Sequence, residues 1–259
     1  MGHIITDLKE TFRRGNIFIQ LIYINVSIFI IGTLINVFLQ LFQHSIPDIF
    51  GIFALPASFI RFFHQPWSII TYMFMHAGLL HILFNMLWLY WFGSLFLHFF
   101  SAKHLRGLYI LGGILGGLLY MVAYNVFPLF NQEVAVSTLV GASASVLAIV
   151  AATAYREPNY RVQLFLFGAI RLKYLALVVI GIDVLSITSS NAGGHIAHLG
   201  GALAGLWFAA SLSKGTDLTS WINWILDGFA SLFQKKTWKR KPKMKVHYGN
   251  SATGRKKDY

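Results

Sequence analysis

The stretch LVGASASVLAIVAATAY, Leu139–Tyr155, decides how this chain is read. It opens on small residues, Gly141, Ala142, Ser143, Ala144 and Ser145, and Ala148, Ala151 and Ala152 follow in the same apolar run. Taken as a helix, its spacing puts Gly141, Ser145, Ala148 and Ala152 on one face, where neighbouring backbones can approach closely. That predicts a helix at the centre of a bundle, not at its edge. It also carries the hydroxyls of Ser143 and Ser145 into that centre.

The rest of the chain supplies the bundle. Of its 259 residues, 56% are hydrophobic and only 12% charged, with a mean hydropathy of +0.61. An ordinary soluble domain is far less apolar, and several runs here are long enough to cross a bilayer. At about 20 residues per crossing, the length suits an all-α membrane protein with six transmembrane helices. The absence of cysteine excludes disulfides, thiolate metal sites and a cysteine nucleophile. The amino-terminal MGHIITDLKETFRRG leads into an apolar run, Ile17 to Phe42, that is long enough to span, so it reads as an anchor and not as a cleaved signal. Three parts are expected: a cytoplasmic segment over 1–16, a six-span domain over 17–213, and an interfacial amphipathic segment with a basic cytoplasmic tail over 214–259.

Within the membrane domain, IFALPASFIRFFHQPW (Ile52–Trp67) is too mixed to span and reads as an interfacial element. The second span ends near Phe99 and starts at Trp67 or at Leu79. The third, Leu105 to Phe127, carries Gly112, Gly113, Gly116 and Gly117 as paired ridges of small residues. The fourth is the helix quoted above. Val162–Lys173 reads as a short interfacial connection, Tyr174–Ile187 as the fifth span and Gly194–Leu212 as the sixth, with SWINWILDGFASLF (Ser220–Phe233) lying on the surface.

Charge orients this plan. Lys9, Arg13 and Arg14, then Lys103 and Arg106, then Arg156, Arg161, Arg171 and Lys173, then the tail, all fall on one side of six spans. By the positive-inside rule both termini are cytoplasmic. Ten of the 21 Lys and Arg residues lie between Lys235 and Lys257, and this tail accounts for most of the net charge of +12. A basic juxtamembrane tail reads as a topology signal and a contact for anionic lipid; no nucleic-acid-reading module accompanies it. No organellar targeting pattern is evident, so a bacterial cytoplasmic membrane is the expected host.

Polar side chains inside hydrocarbon are costly and tend to mark function. Three spans carry them: His76, His81 and Asn85 on the second, Ser143 and Ser145 on the fourth, His195 and His198 on the sixth. Each has a plain alternative. A membrane serine commonly bonds back to its own helix, lone histidines bridge helices, and Asn85 serves equally as interhelical glue. Together they supply a nucleophile, a base and oxyanion donors, the parts that acyl transfer by serine needs. There is no HExxH, and no carboxylate lies near the histidines in sequence, so a zinc protease is not expected. An aspartyl protease needs two membrane carboxylates, and only Asp183 sits in a span. Asp183 either orients a histidine as a third catalytic member or caps a polar pocket near the outer face; the second role is preferred.

From Pro66 to Leu212 the sequence resembles the rhomboid family of intramembrane serine proteases. MHAGLLHILFNMLWLY is similar to the family's second-span pattern, with His81 and Asn85 in H-x-x-x-N and His76 at the histidine just before. GASAS resembles the G-x-S-G nucleophile motif, AHLGGALAG the sixth-span motif, and PWSIIT the end of the first extracytoplasmic loop. The resemblance implies a Ser143–His198 dyad and an oxyanion held by His81, Asn85 and the Ser143 N–H. His76, Gly141 and Ala144 would support the site. It also implies single-span or other transmembrane proteins as substrates, entry past the fifth span, and no metal or cofactor. Ala144 replaces the motif glycine, Leu147 a position that is often aromatic, and Trp67–Ser68 a tryptophan–arginine pair. Two rivals stand beside this reading. One is a rhomboid-like pseudoprotease that binds membrane proteins without cleaving them. The other is a small transporter or proton channel, for which no internal repeat is visible.

Overall fold

The computed structural model describes residues 12, 15–42, 49–164 and 168–233; the basic tail and most of the amino-terminal segment lie outside them. The helices are α1 (Ile17–Leu41), three short ones, α2 (Ile49–Phe53), α3 (Phe59–His64) and α4 (Ser68–Thr71), then α5 (Leu79–Phe96), α6 (Ala102–Val126), α7 (Ser143–Arg156), α8 (Leu172–Leu185), α9 (Ala192–Ser213) and α10 (Ser220–Phe233). Among the described residues, α1, α5, α6 and α9 are long and apolar enough to cross a bilayer. The expected fourth and fifth spans are α7 and α8, with 14 residues each. That is about 21 Å of helix against a hydrocarbon core of about 30 Å.

α7 is short for a physical reason. The chain enters it as an extended strand, β2 (Thr138–Leu139), and turns at Gly141, whose φ of +129° is outside the range that other residues adopt readily. The helix therefore begins at Ser143, part-way into the bundle. This corrects the expectation that Gly141 shares a helical face with Ser145. The central position is as expected, since every residue from Ala144 to Ala154 is buried.

α6, α7 and α9 touch through their backbones. A Cβ on Gly201 or Gly205 of α9 would land on the Ala144 or Ala148 carbonyl of α7. On α6, Gly112 faces the Ala148 methyl, and a Cβ at Gly116 would sit 2.7 Å from both the Ala144 Cβ and the Ala197 carbonyl oxygen. The second ridge of α6 turns the other way, with Gly113 against Met73 and Gly117 against Leu55 and Ile69. The paired ridges thus serve two neighbours at once.

The first loop is more than an interfacial element. β1 (Leu55–Pro56) pairs antiparallel with β2, Ala57 N–H donates to the Ser137 carbonyl at 3.0 Å, and Arg61 Nη1 donates to the Ala135 carbonyl at 3.0 Å. Ala54 to Ala57 are buried, while Ile60 and Phe63 are exposed. The second span starts at Leu79, and Ser68 to Phe74 form α4 and a 3-10 turn. Val162–Lys173, expected as a plain connection, contains an antiparallel ribbon, β3 (Arg161–Leu164) with β4 (Gly168–Arg171), in the register Arg161↔Arg171.

The outer faces are apolar. Ile31, Leu34 and Phe38 of α1, Leu80 and Phe84 of α5, Leu177 and Leu185 of α8 and Trp207 of α9 are all exposed. Water would not tolerate so continuous a surface, whereas lipid requires it. α10 is amphipathic as read: Ile222 and Asn223 are buried, and Trp224, Phe229 and Leu232 are exposed. Asn223 Oδ1 accepts from Arg106 Nη2 at 2.8 Å, and Asp227 pairs with Arg106 at 2.7 Å and Lys103 at 3.0 Å. Those hydrogen bonds, from Arg106 first and then Lys103, hold the Asp227 carboxyl below the usual carboxylate range.

Two glycine substitutions separate packing from propensity. Gly201→Ala, whose new methyl meets backbone, is expected to destabilise the bundle by about 1–3 kcal/mol. Gly181→Ala, on α8 with nothing within 4 Å of its Cβ position, is expected to stabilise by about 0.5–1 kcal/mol. Thermal unfolding in detergent should move in opposite directions for the two.

Candidate active site

A cavity of about 390 Å³ opens beside the start of α7, and Ser143, His198, His81 and Asn85 all line it. Four residues read from three separate spans are therefore brought to one place. Phe84 and Trp88 of α5 and Val179 of α8 complete its apolar walls.

Ser143 is the first residue of α7. The first N–H groups of a helix have no partner within it, and they carry the positive end of its dipole. The start of α7 therefore offers backbone donors at the depth of the serine hydroxyl. Gly141 shapes the approach. Its N–H donates to the Tyr72 carbonyl at 2.9 Å. A Cβ built on it would sit 2.8 Å from His81 Nε2 and 3.6 Å from Ser143 Oγ. Only a glycine leaves room for the imidazole here.

His81 Nδ1 accepts a long hydrogen bond from the Ala77 N–H at 3.4 Å. A neutral imidazole then carries its proton on Nε2, on the side that faces Gly141 and Ser143. Asn85, 7% exposed, is fixed one turn on by a 2.8 Å bond from Nδ2 to the His81 carbonyl. Asn85 is therefore held by its own helix, α5, and His81 by the backbone just before that helix begins. His76 stands behind them with its ring edge-on to His81, 5.2 Å between centroids, and it faces a separate cavity of about 720 Å³ between α1 and the start of α5. It does not line the serine cavity.

Ala144 is 1% exposed and does not line the cavity. Its methyl packs where Gly116 of α6 lacks one, so the departure from the motif glycine is absorbed by the neighbouring helix. Leu147 does line the cavity. Ser145 is fully buried, and its Oγ has no hydrogen-bond partner among the described residues, so the expected bond back to its own helix is not made. Thr153, two turns on, makes that bond, to the Ile149 carbonyl at 2.7 Å.

Of the two roles read for Asp183, orienting a histidine and capping a polar pocket near the outer face, the contacts match the first, which is not the preferred one. Asp183 is 3% exposed, and its Oδ1 lies 2.8 Å from Nδ1 of His198 and 2.8 Å from Nδ1 of His195. The acid is distant from the histidines in sequence, yet the turn between α8 and α9 folds it against them. Asp183 lies two residues before the end of α8, and His195 is the fourth residue of α9. Counting back from the loop on both helices would have paired them. The three donor atoms lie within 4.8 Å of one another, a nitrogen and oxygen set that divalent metals accept. Both nitrogens, however, meet the same oxygen at hydrogen-bond length, and a proton on each Nδ1 accounts for that geometry.

Fold and cavity together define a helical, multi-pass membrane protein with a serine, two histidines and an asparagine gathered within the bundle. Residues 64–215 match the family model for the rhomboid domain, and the chain belongs to the rhomboid family. It is 29% identical over 157 residues to the RHOMBOID-like protein 12, mitochondrial, of Arabidopsis thaliana, covering 57% of this chain and 47% of that protein. It is 30% identical over 139 residues to the Presenilin-associated rhomboid-like protein A, mitochondrial, of Danio rerio, covering 52% of this chain and 34% of that protein. The match thus spans less than half the length of either relative.

The turn at Gly141 yields a prediction independent of any activity. Gly141→Ala meets both a backbone cost and the His81 ring, and should destabilise the protein by about 1–3 kcal/mol. Thermal unfolding in detergent checks this.

Proposed function

We propose that this protein is an intramembrane serine endopeptidase that cleaves transmembrane proteins in or near the bilayer. The observation that carries the proposal is the convergence of Ser143, His198, His81 and Asn85 on one cavity at a helix start inside the bundle. Ser143 Oγ attacks the peptide carbonyl while His198 takes its proton, giving a tetrahedral intermediate whose oxyanion meets the Ser143 N–H, His81 Nε2–H and Asn85 Nδ2. His198 then passes the proton to the departing amine as the C–N bond breaks. Water, deprotonated by the same imidazole, hydrolyses the acyl-enzyme and returns the serine.

Single-span or other transmembrane substrates reach the cavity between α5 and α8, whose side chains Phe84 and Val179 both line it. The catalytic unit is the membrane domain over 17–213, with Ser143 and His198 as the reacting pair and His76, Gly141 and Ala144 in support. Both termini lie on the cytoplasmic side, and the basic tail meets anionic lipid there. The host membrane in this proposal is the bacterial cytoplasmic one; the two relatives are named mitochondrial, and localisation of the tagged chain decides between the two.

The test compares cleavage of a labelled single-span substrate in liposomes by the parent, Ser143→Ala and Ser145→Ala. Product from the parent and from Ser145→Ala, with none from Ser143→Ala, is the expected result. Product that survives Ser143→Ala removes this nucleophile. No product from any of the three, across several substrates, gives the chain the role of a binding pseudoprotease. A second comparison addresses entry. Val179→Trp should slow cleavage of the transmembrane substrate at least about tenfold, while labelling of Ser143 by a small fluorophosphonate stays within about threefold, because only the larger ligand needs the full mouth.

A further inference from the structure

We propose that Asp183 is the positioning residue of the His198 base, so that Ser143, His198 and Asp183 act as a triad, with His195 held on the same carboxylate oxygen. This inference rests on the protease reading above and goes beyond the dyad implied there.

The geometry is specific. His198 Nδ1 and His195 Nδ1 each lie 2.8 Å from Asp183 Oδ1. The two imidazoles are three residues apart on α9, so one carboxylate on α8 bridges a single turn of the facing helix. Their rings stand nearly perpendicular, at 83°, with centroids 5.9 Å apart. Each approaches the oxygen from its own direction, and neither displaces the other.

A neutral imidazole has one N–H and one lone pair. Donation from Nδ1 to the carboxylate fixes the proton there and leaves the lone pair on Nε2, the nitrogen a serine needs as base. When Nε2 accepts the Ser143 proton, the imidazolium keeps its Nδ1–H on a carboxylate that is already in place. No group has to move to meet the new charge, which is the condition for efficient electrostatic stabilisation. The carboxylate does not itself take up the proton.

Burial argues for the same role. A carboxylate within a span, 3% exposed, is expensive to keep. Asp183 Oδ2 has no hydrogen-bond partner among the described residues, and the two imidazoles are the partners of Oδ1. The acid is thus committed to the histidines and not shared with a lysine or arginine network. His195 holds the oxygen from the preceding turn and so fixes the carboxylate against which His198 is aligned.

The test uses the full chain in detergent, with Asp183→Asn, Asp183→Ala, His195→Ala and the parent. Asp183→Asn keeps the shape but presents an amide that favours the wrong imidazole tautomer. The expected result is a fall in kcat of about a hundredfold or more with KM within about twofold, and a matching fall in the rate at which a fluorophosphonate labels Ser143. His195→Ala should lose less than Asp183→Asn, because His198 keeps its carboxylate. Parent-like kcat and labelling in Asp183→Asn would overturn the proposal and leave Asp183 as a link between helices, as would a larger loss in His195→Ala than in Asp183→Asn. If Asp183→Asn lowers the melting temperature, Asp183→Ala with and without formate decides. Formate-specific recovery of labelling supports the positioning role, and equal rates with formate and with chloride overturn it. The protease reading fails separately, when the parent neither cleaves nor labels.

Discussion

Three helices of this protein meet at the distance of backbone atoms, and the placement of everything else depends on that contact. Gly201 and Gly205 of α9 lie on the carbonyls of Ala144 and Ala148 in α7, and Gly112 and Gly116 of α6 close the third side. In lipid, apolar side chains gain little by leaving one hydrocarbon for another, so close packing and polar contacts hold helices together. The small residues are what make the close packing possible. They also set the register. His198 precedes Gly201 by three positions on the same helix, about one turn, so fixing Gly201 on Ala144 puts the imidazole beside the first turn of α7.

The second constraint is the depth at which α7 begins. A helix that crossed the whole bilayer would bury its free N–H groups near one surface, away from the bundle's interior. By entering as a strand and turning at Gly141, the chain brings those donors and the Ser143 hydroxyl inside. The cost is an extended segment at membrane depth, whose backbone groups need partners. β1 supplies them from the first loop, and the Tyr72 carbonyl takes the Gly141 N–H. That is why a loop with exposed phenylalanines also contains four buried residues, Ala54 to Ala57.

Most of the bundle was legible in the sequence because lipid imposes simple rules: long apolar runs, small-residue ridges and sidedness of charge. The four cavity residues were legible too, since polar groups in spans are rare enough to attract notice. Local pairings were not. Nothing in IFALPASFIRFFHQPW announces that Leu55 and Pro56 form a ribbon with Thr138 and Leu139, because two-residue pairing leaves no periodic pattern. The β3–β4 ribbon was hidden for the same reason. The sequence leaves Asp183 between two roles, and its twelve-residue separation from His195 favours the cap, although the short turn from Ser186 to Asn191 brings the ends of α8 and α9 to the same level. That Ala144 replaces a motif glycine is visible in the sequence, but not that its methyl packs against Gly116, which lies in another span.

α8 is the least embedded of the inner helices; Leu172, Ala176 and Asp183 are its buried residues. Its wall contributes Val179 to the cavity, and four residues further on it carries the carboxylate that both α9 histidines address. Val179 and Asp183 stand about one turn apart on the same helix, so the cavity wall and the partner of both α9 histidines belong to one segment, and neither can be repositioned without the other.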